Sequence, residues 1–103
     1  MEKTIEELRQ EYLHQVNIEL PNLSRATGKY PVLYNHCWAR LLLDNLWKTC
    51  WYNRLDSTKG PAYTQLNEKQ LETLLVWCNE IKASPELARL MNANSLRWRQ
   101  EYE

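Results

Sequence analysis

The sequence predicts an all-α fold, a compact bundle of four to five helices around a central buried helix. Three observations lead to this prediction. Apolar residues recur at intervals of three or four along several segments, which places them on one face of a helix. The two glycines and four prolines separate these segments. No segment alternates apolar and polar residues over a length that would form a strand.

The length and composition indicate a single domain that spans residues 1–103. The chain is 44% hydrophobic and 25% charged, values that are typical of a folded globular domain. Its 13 Lys and Arg balance its 13 Asp and Glu, so the formal net charge is zero. A balanced chain lacks the general attraction to phosphate-rich surfaces, so we expect neither a nucleic-acid partner nor a membrane partner.

The first predicted element is an amphipathic helix over residues 4–20, which would form an N-terminal arm or cover. Thr4 and Glu7 have the spacing of a capping box. Pro21 is expected to end this helix, because a proline cannot continue the backbone hydrogen bonding. Residues 21–34 are then a connection with at most one short helical turn. The apolar positions of the helix are Ile5, Leu8, Tyr12, Val16 and Leu20.

A second helix is predicted from Asn35, which can cap it, to about Leu55. Its apolar residues spread around nearly the whole circumference, as in a helix that neighbours cover on all sides. We therefore predict that it is the centre of a helical core over residues 35–103. The exception is a line of alternating charge formed by Arg40, Asp44 and Lys48.

A third helix is predicted after Asn67, because Asn67 and Gln70 have the spacing of a second capping box. A fourth is predicted to begin at Ser84, a residue suited to the N-cap, with Pro85 at the first helical position. The polar run over residues 92–95 is expected to break this helix before a last short one that contains Trp98.

The aromatic residues point to a binding function. The chain has five Trp, six Tyr and no Phe, and Trp and Tyr are enriched at protein interfaces and in ligand pockets. We interpret the chain as a non-enzymatic protein-binding or adaptor module whose partner is another protein or a second copy. The simpler alternative is that these rings are large core residues. The expected contact residues are Tyr34, His36, Arg40, Asp44, Trp47, Trp51, Tyr63 and Trp98.

An alternative function is a small-molecule or cofactor pocket. In this interpretation Arg40 and Asp44 form a partly buried pair at the floor of a pocket with Trp47 and Trp51 as its walls. The same residues would otherwise form a structural ion pair or a solvated ladder of charges. No glycine-rich phosphate loop or dinucleotide motif occurs in the chain, so we do not expect a nucleotide or dinucleotide cofactor, and the favoured binding-module interpretation needs no cofactor.

The cysteines suggest a cytoplasmic protein. Cys37, Cys50 and Cys78 are odd in number and form no CxxC pair, which argues against a disulfide framework and for a reducing compartment. No apolar leader or membrane span is apparent. Cys37 lies near a predicted helix N-terminus, where a thiol is activated, so it is a candidate reactive thiol or else a small buried residue.

A metal site is not expected. The candidate ligands His36 and Cys50 would lie about 21 Å apart along the second helix, at 1.5 Å per residue. Ligands of one zinc ion must lie within about 2.3 Å of it.

The chain contains the short motifs Tyr30-Pro31-Val32, His36-Cys37-x-x-Arg40-x-x-x-Asp44-Asn45, Trp51-Tyr52, Pro61-Ala62-Tyr63 and Ser95-Leu96-Arg97-Trp98-Arg99. These motifs resemble those of a group of small uncharacterised bacterial helical proteins. Some members are labelled general-control-type N-acetyltransferases, so the resemblance implies acetyl transfer as a third function. The acetyl-coenzyme A pattern of that superfamily, Gln/Arg-x-x-Gly-x-Gly/Ala, does not occur in this chain, so this activity is the least favoured.

Overall fold

Four long helices account for most of the described chain, and no strand occurs within it. The computed structural model describes residues 3–101, and of Ser57 only the backbone. The all-α prediction is therefore confirmed for this range, while residues 1–2 and 102–103 of the predicted domain lie outside it. The Cα radius of gyration is 13.3 Å, close to the value of about 13 Å typical of a compact domain of this length.

The helices, in chain order, are α1 Ile5–His14, a π-helical segment Gln15–Glu19, α2 Leu20–Thr27, α3 Asn35–Trp47, α4 Glu68–Ala83 and α5 Pro85–Gln100. Helix α3 packs on α5, α1 packs on α4, and α4 contacts α5, to which Ser84 joins it. Three short 3₁₀ turns lie between α3 and α4, at Trp51–Asn53, Ser57–Lys59 and Ala62–Gln65. No described helix is both long and apolar enough to cross a membrane.

The prediction that Pro21 ends the first helix is wrong. The helix continues through the π-helical segment into α2, and Gly28, with φ of 64°, ends it. In the π-helical segment the Leu20 amide bonds to the Gln15 carbonyl, five residues back. Pro21 therefore lies in the first turn of a new α-helical segment, where a residue without an N–H is tolerated.

The second helix is shorter than predicted, and its cap differs. Helix α3 ends at Trp47, because Lys48 takes a left-handed conformation with φ of 57°. Trp51 therefore lies in a 3₁₀ turn outside the helix. Asn35 does not cap α3, since its side-chain amide donates to the Asn17 side chain at 3.2 Å. The N-cap position belongs to Tyr34, whose side chain makes no capping bond.

The predicted caps of the other helices are confirmed. Thr4 and Glu7 form a capping box at α1, and Asn67 and Gln70 form one at α4. Ser84 accepts a hydrogen bond from the Leu87 amide at the start of α5.

The predicted break at residues 92–95 is wrong. Helix α5 runs without interruption from Pro85 to Gln100. Two polar side chains in this run, Asn92 and Ser95, accept hydrogen bonds from Arg40 of α3. Their bonding capacity is used by a neighbouring helix, so they do not compete with the backbone hydrogen bonds of their own helix.

The core contains a buried tryptophan whose indole N–H needs a hydrogen-bond acceptor. Trp38 is fully buried, and its indole N–H donates to the Ser24 hydroxyl at 3.2 Å. The Ser24 hydroxyl in turn donates to the Leu20 carbonyl at 3.0 Å. The Tyr30 ring meets the Trp38 ring edge-on with centroids 5.8 Å apart, and its hydroxyl bonds to the Ile81 carbonyl at 3.0 Å. These contacts join α2, α3 and α4.

We expect the substitution Ser24→Ala to destabilise the protein by about 1–3 kcal/mol, because it leaves the buried Trp38 N–H without an acceptor. Thr27→Ala is the matched control. Thr27 makes the same bond to the carbonyl four residues back, at 2.8 Å, but it is exposed. Its loss should change stability by no more than about 0.5 kcal/mol. Urea unfolding measures both, and equal effects would contradict the role of the buried bond.

Candidate functional site

Asp44 is the centre of a buried polar network. Its side chain is fully buried, and each carboxylate oxygen accepts two hydrogen bonds. Oδ1 accepts from the Trp51 backbone amide at 2.9 Å and from Arg99 Nη2 at 3.3 Å. Oδ2 accepts from the Ser95 hydroxyl at 2.6 Å and from Arg99 Nε at 2.8 Å. The carboxylate therefore fastens α3 to α5 and to the turn after α3.

Arg40 extends this network along α3. Its Nη1 donates to the Ser95 hydroxyl at 3.1 Å and its Nη2 to the Asn92 side chain at 2.6 Å. Arg40 and Asp44 are thus connected through Ser95. Within the part of the chain that the structure describes, they form no ion pair with each other.

Arg99 carries the counter-charge and is held on two sides. Its guanidinium carbon lies 5.0 Å from the centre of the Tyr52 ring, in addition to its two bonds with Asp44. Burial alone would lower the pKa of Arg99, but the hydrogen bonds and the charge of Asp44 outweigh this effect and raise it. Arg99 is therefore charged at every physiological pH, which suits a structural ion pair and not a proton donor.

The structure does not assemble the predicted pocket at Arg40 and Asp44. Their polar atoms are engaged by Ser95, Asn92 and Arg99. Trp47 and Trp51 are half-buried and pack against the apolar core. None of the four predicted pocket residues lines either of the two surface grooves described below.

The remaining predicted contact residues lie apart from one another. Tyr34 and His36 are exposed at the start of α3, with parallel rings whose centroids are 5.9 Å apart. Tyr63 is half-buried in the turn before α4 and packs on the core. Cys37 is half-buried in the first turn of α3. Of the aromatic residues predicted as contacts, only Trp98 lines a groove.

That groove, which we call the tryptophan groove, has a volume of about 320 Å³. Trp77 from α4 and Trp98 from α5 are its aromatic residues, and both are half-buried. Leu90 lines it with 59% of its surface exposed. The charged residues of its lining are Lys48 and Glu80. The full lining is Asn45, Lys48, Trp77, Glu80, Leu87, Leu90, Met91, Asn94 and Trp98.

Apart from Trp98, the apolar residues of the tryptophan groove escaped prediction because their helical spacing is that of core residues. Trp77, Leu87 and Met91 recur at helical spacing with buried positions, and periodicity alone does not separate a buried face from its border. One sequence feature could have identified Trp77 as a border residue: the apolar face of α4 is wider than the part that is fully buried. Trp77 lies at the edge of this face, beside the buried residues Leu74, Cys78 and Ile81.

A second and larger groove, of about 830 Å³, lies between α1 and α4. We call it the acidic groove. Its carboxylates are Glu11, Glu68 and Glu72, and its apolar residues include Val76, which is 53% exposed. The full lining is Lys3, Leu8, Gln10, Glu11, His14, Gln15, Glu68, Glu72, Leu75, Val76 and Asn79.

Three polar atoms of α1 and the segment after it are buried without a hydrogen-bond partner among the described residues. They are Arg9 Nε, the Tyr12 hydroxyl and Gln15 Oε1. Gln15 lines the acidic groove. Burial, and then the neighbouring Cys78, raise the pKa of Tyr12, and burial raises the pKa of Cys78 to about 12. Both groups therefore stay neutral at physiological pH.

Comparisons with protein-family models, with curated proteins and with solved structures find no match for the chain. The resemblance to small bacterial helical proteins therefore stays a prediction from the sequence motifs. In the part of the chain that is described, no group of three His, Cys, Asp or Glu side chains is placed to hold a metal ion. Any functional conclusion must rest on the chemistry of the network and the two grooves.

We expect Asp44→Asn to destabilise the protein by about 3 kcal/mol, because it leaves the partly buried charge of Arg99 without its counter-charge. The control is Asp56→Asn, which alters an exposed carboxylate that accepts hydrogen bonds from Thr58. Its cost should be about 1 kcal/mol or less.

The double variant Asp44→Asn/Arg99→Met should recover part of the stability lost in Asp44→Asn, since it removes the unpaired charge. Chemical unfolding of Asp44→Asn, Asp56→Asn, Arg99→Met and the double variant checks both statements. If the free energy of unfolding lost in the double variant equals the sum of the losses in Asp44→Asn and Arg99→Met, the two residues are not coupled.

The three cysteines should differ in reactivity. Cys37 is half-buried, whereas Cys50 and Cys78 are 1% and 0% exposed. Iodoacetamide at neutral pH should label Cys37 alone in the folded protein, as mass spectrometry of the intact chain and its peptides would show. Cys37→Ser should leave the folded protein unlabelled. If Cys37 reacts no faster than it does in the unfolded chain, the prediction of an activated thiol is wrong.

Proposed function

We propose that the protein is a non-enzymatic protein-binding module that associates with a second copy of itself through the tryptophan groove. One observation carries the proposal: two half-buried tryptophans on neighbouring helices line an open groove beside an exposed leucine. Trp and Met are enriched at the centres of protein interfaces, and Trp is among the residues that contribute most to binding energy there.

The size and shape of the groove favour a protein partner. Its volume of about 320 Å³ lies at the lower limit of small-molecule pockets, and such pockets enclose most of the ligand surface. An open groove of this size holds one or two side chains of another protein. Leu90, which is exposed at its border, is a side chain of suitable size and chemistry.

The charges around the groove favour a second copy. Lys48 follows α3 and Glu80 belongs to α4, and neither has an ion-pair partner among the described residues. A two-fold axis that passes between Lys48 and Glu80 would bring Lys48 of each copy towards Glu80 of the other. A self-complementary arrangement of opposite charges fixes the register of a symmetric dimer.

The alternative function, a small-molecule pocket at Arg40 and Asp44, has less support because these side chains bond to α5. Acetyl transfer rests on the sequence resemblance alone.

Two further predictions belong to this proposal. We place α3 at the centre of the bundle, a view supported by Trp38, Leu41 and Leu42, which are fully buried. We place the protein in the cytoplasm, a view supported by its three free cysteines, since a reducing compartment keeps thiols unpaired.

We expect Leu90→Glu to abolish self-association, because the charge would enter the apolar groove of the second copy. Leu96→Glu is the matched control. Leu96 is on the same helix and is 47% exposed, against 59% for Leu90, but it does not line the groove. Sedimentation equilibrium at high micromolar concentration should give a dimer for the wild type and for Leu96→Glu, and a monomer for Leu90→Glu.

Circular dichroism and urea unfolding establish that both variants fold. A monomeric wild type, or equal loss of the dimer in both variants, would overturn self-association through this groove.

Native mass spectrometry of protein purified under reducing conditions tests the alternative function, a small-molecule pocket. A small fixed mass increment on the monomer would favour a bound small molecule.

A further inference from the structure

Lys48 ends α3 in a backbone conformation that favours glycine. Its φ of 57° lies in the left-handed region, and it is the sole described residue other than glycine with a positive φ. The equivalent position at the end of α2 is Gly28, with φ of 64°. In both places the backbone amide donates to the carbonyl four residues back, that of Asp44 for Lys48 and that of Ser24 for Gly28. The chain therefore has a lysine at one helix end where it has a glycine at the other.

Steric contacts make lysine the less favourable residue at such a position. In the left-handed conformation a Cβ atom lies too close to the backbone carbonyl, and glycine avoids this contact. The Lys48 side chain makes no compensating hydrogen bond or ion pair within the described chain. The contact that favours a lysine here is therefore to be sought outside the described chain.

The surroundings of Lys48 show where such a contact would lie. Lys48 lines the tryptophan groove, in which Glu80 is the other charged residue. Both are exposed, and they form no ion pair with each other or with a further described residue. Opposite charges that do not neutralise each other within one chain are available to the complementary charges of a second copy.

We propose that Lys48 is a specificity-determining residue of self-association, and that its ammonium group binds the Glu80 carboxylate of the second copy. This inference rests on the proposed function, because it requires a dimer through the tryptophan groove. A two-fold arrangement forms the contact twice, so one lysine and one glutamate per chain give two pairs. A different partner without an acidic group at that place would leave Lys48 unpaired beside the apolar groove. The contact therefore favours identical copies over other partners.

Charge reversal tests the contact between copies. Lys48→Glu and Glu80→Lys should each weaken self-association by about tenfold or more, because both pairs of the dimer become repulsive. An equimolar mixture of the two variants should form the heterodimer in preference to either homodimer, since both of its pairs join opposite charges. Within each variant chain the two positions carry like charges, so only contacts between copies account for this preference. Native mass spectrometry separates the species when one variant is labelled with heavy nitrogen.

The matched control is an equimolar mixture of Lys59→Glu and Glu72→Lys. Both residues are exposed, do not line the tryptophan groove and belong to no ion pair of the described chain. The control variants have the same net charges as the test variants, so they account for attraction between whole molecules. Their mixture should give the statistical proportion of heterodimer, and each homodimer should keep the wild-type affinity within about twofold.

Lys48→Gly separates the role of the side chain from that of the backbone. Glycine adopts the left-handed conformation without a steric penalty, so the urea midpoint should rise in the monomeric Leu90→Glu background. In the wild-type background the same change should weaken the dimer by about threefold or more, because both pairs are lost.

Gly28→Lys is the control at the other helix end. A Cβ atom at Gly28 would meet no atom within 4 Å, and Gly28 does not line the tryptophan groove. The urea midpoint should therefore fall through backbone strain alone, and the affinity of the dimer should stay unchanged.

Two results would contradict the proposal. A dimeric wild type whose test mixture forms no more heterodimer than the control mixture would show that Lys48 and Glu80 do not meet between copies. A lower urea midpoint of Lys48→Gly with an unchanged dimer affinity would mean that the lysine serves only the C-terminal end of α3. A monomeric wild type overturns self-association itself, so failure of the proposed function is distinguishable from failure of this contact.

Discussion

The ion pair between Asp44 and Arg99 is the constraint on which the arrangement of α3, α5 and the turn between α3 and α4 depends. A carboxylate with 0% exposure is tolerated only when counter-charge and hydrogen bonds surround it. Asp44 obtains them from Trp51, seven residues along the chain, and from Ser95 and Arg99, which are more than fifty residues away. Each bond fixes one feature of the fold. The Trp51 amide turns the chain after α3, and Ser95 and Arg99 hold α5 against it.

This use of Asp44 explains why the most polar part of α3 is a poor candidate for ligand binding. An arginine and an aspartate at helical spacing are consistent with the floor of a pocket as well as with a structural network. A pocket would leave the hydrogen-bonding groups of Arg40 and Asp44 free for a ligand. Here Arg40 bonds to Ser95 and Asn92, and Asp44 bonds to Arg99. In the two grooves, by contrast, charges without ion-pair partners in the described chain lie beside apolar side chains.

The two grooves lie on different faces of α4 and have different chemistry. Trp77 and Glu80 contribute to the tryptophan groove, while Glu72 and Val76 contribute to the acidic groove. The first is apolar with one charge of each sign, which suits a symmetric contact. The second combines carboxylates with an apolar floor.

The sequence by itself determined the helical class, the capping boxes at Thr4 and Asn67, and the start of α5 at Ser84. These features depend on hydrogen bonds within four residues and on apolar spacing, so local sequence is sufficient. Tertiary structure decided where α3 ends, why α5 continues through residues 92–95, and how the chain accommodates Pro21. The end of α3 is held by the bond from the Trp51 amide to Asp44, seven residues away, which a helix from Asn35 to Leu55 would not contain. The continuation of α5 depends on Arg40, which lies 52 residues from Asn92 and 55 residues from Ser95. The third depends on a wider helical turn that places Pro21 where no amide donor is needed.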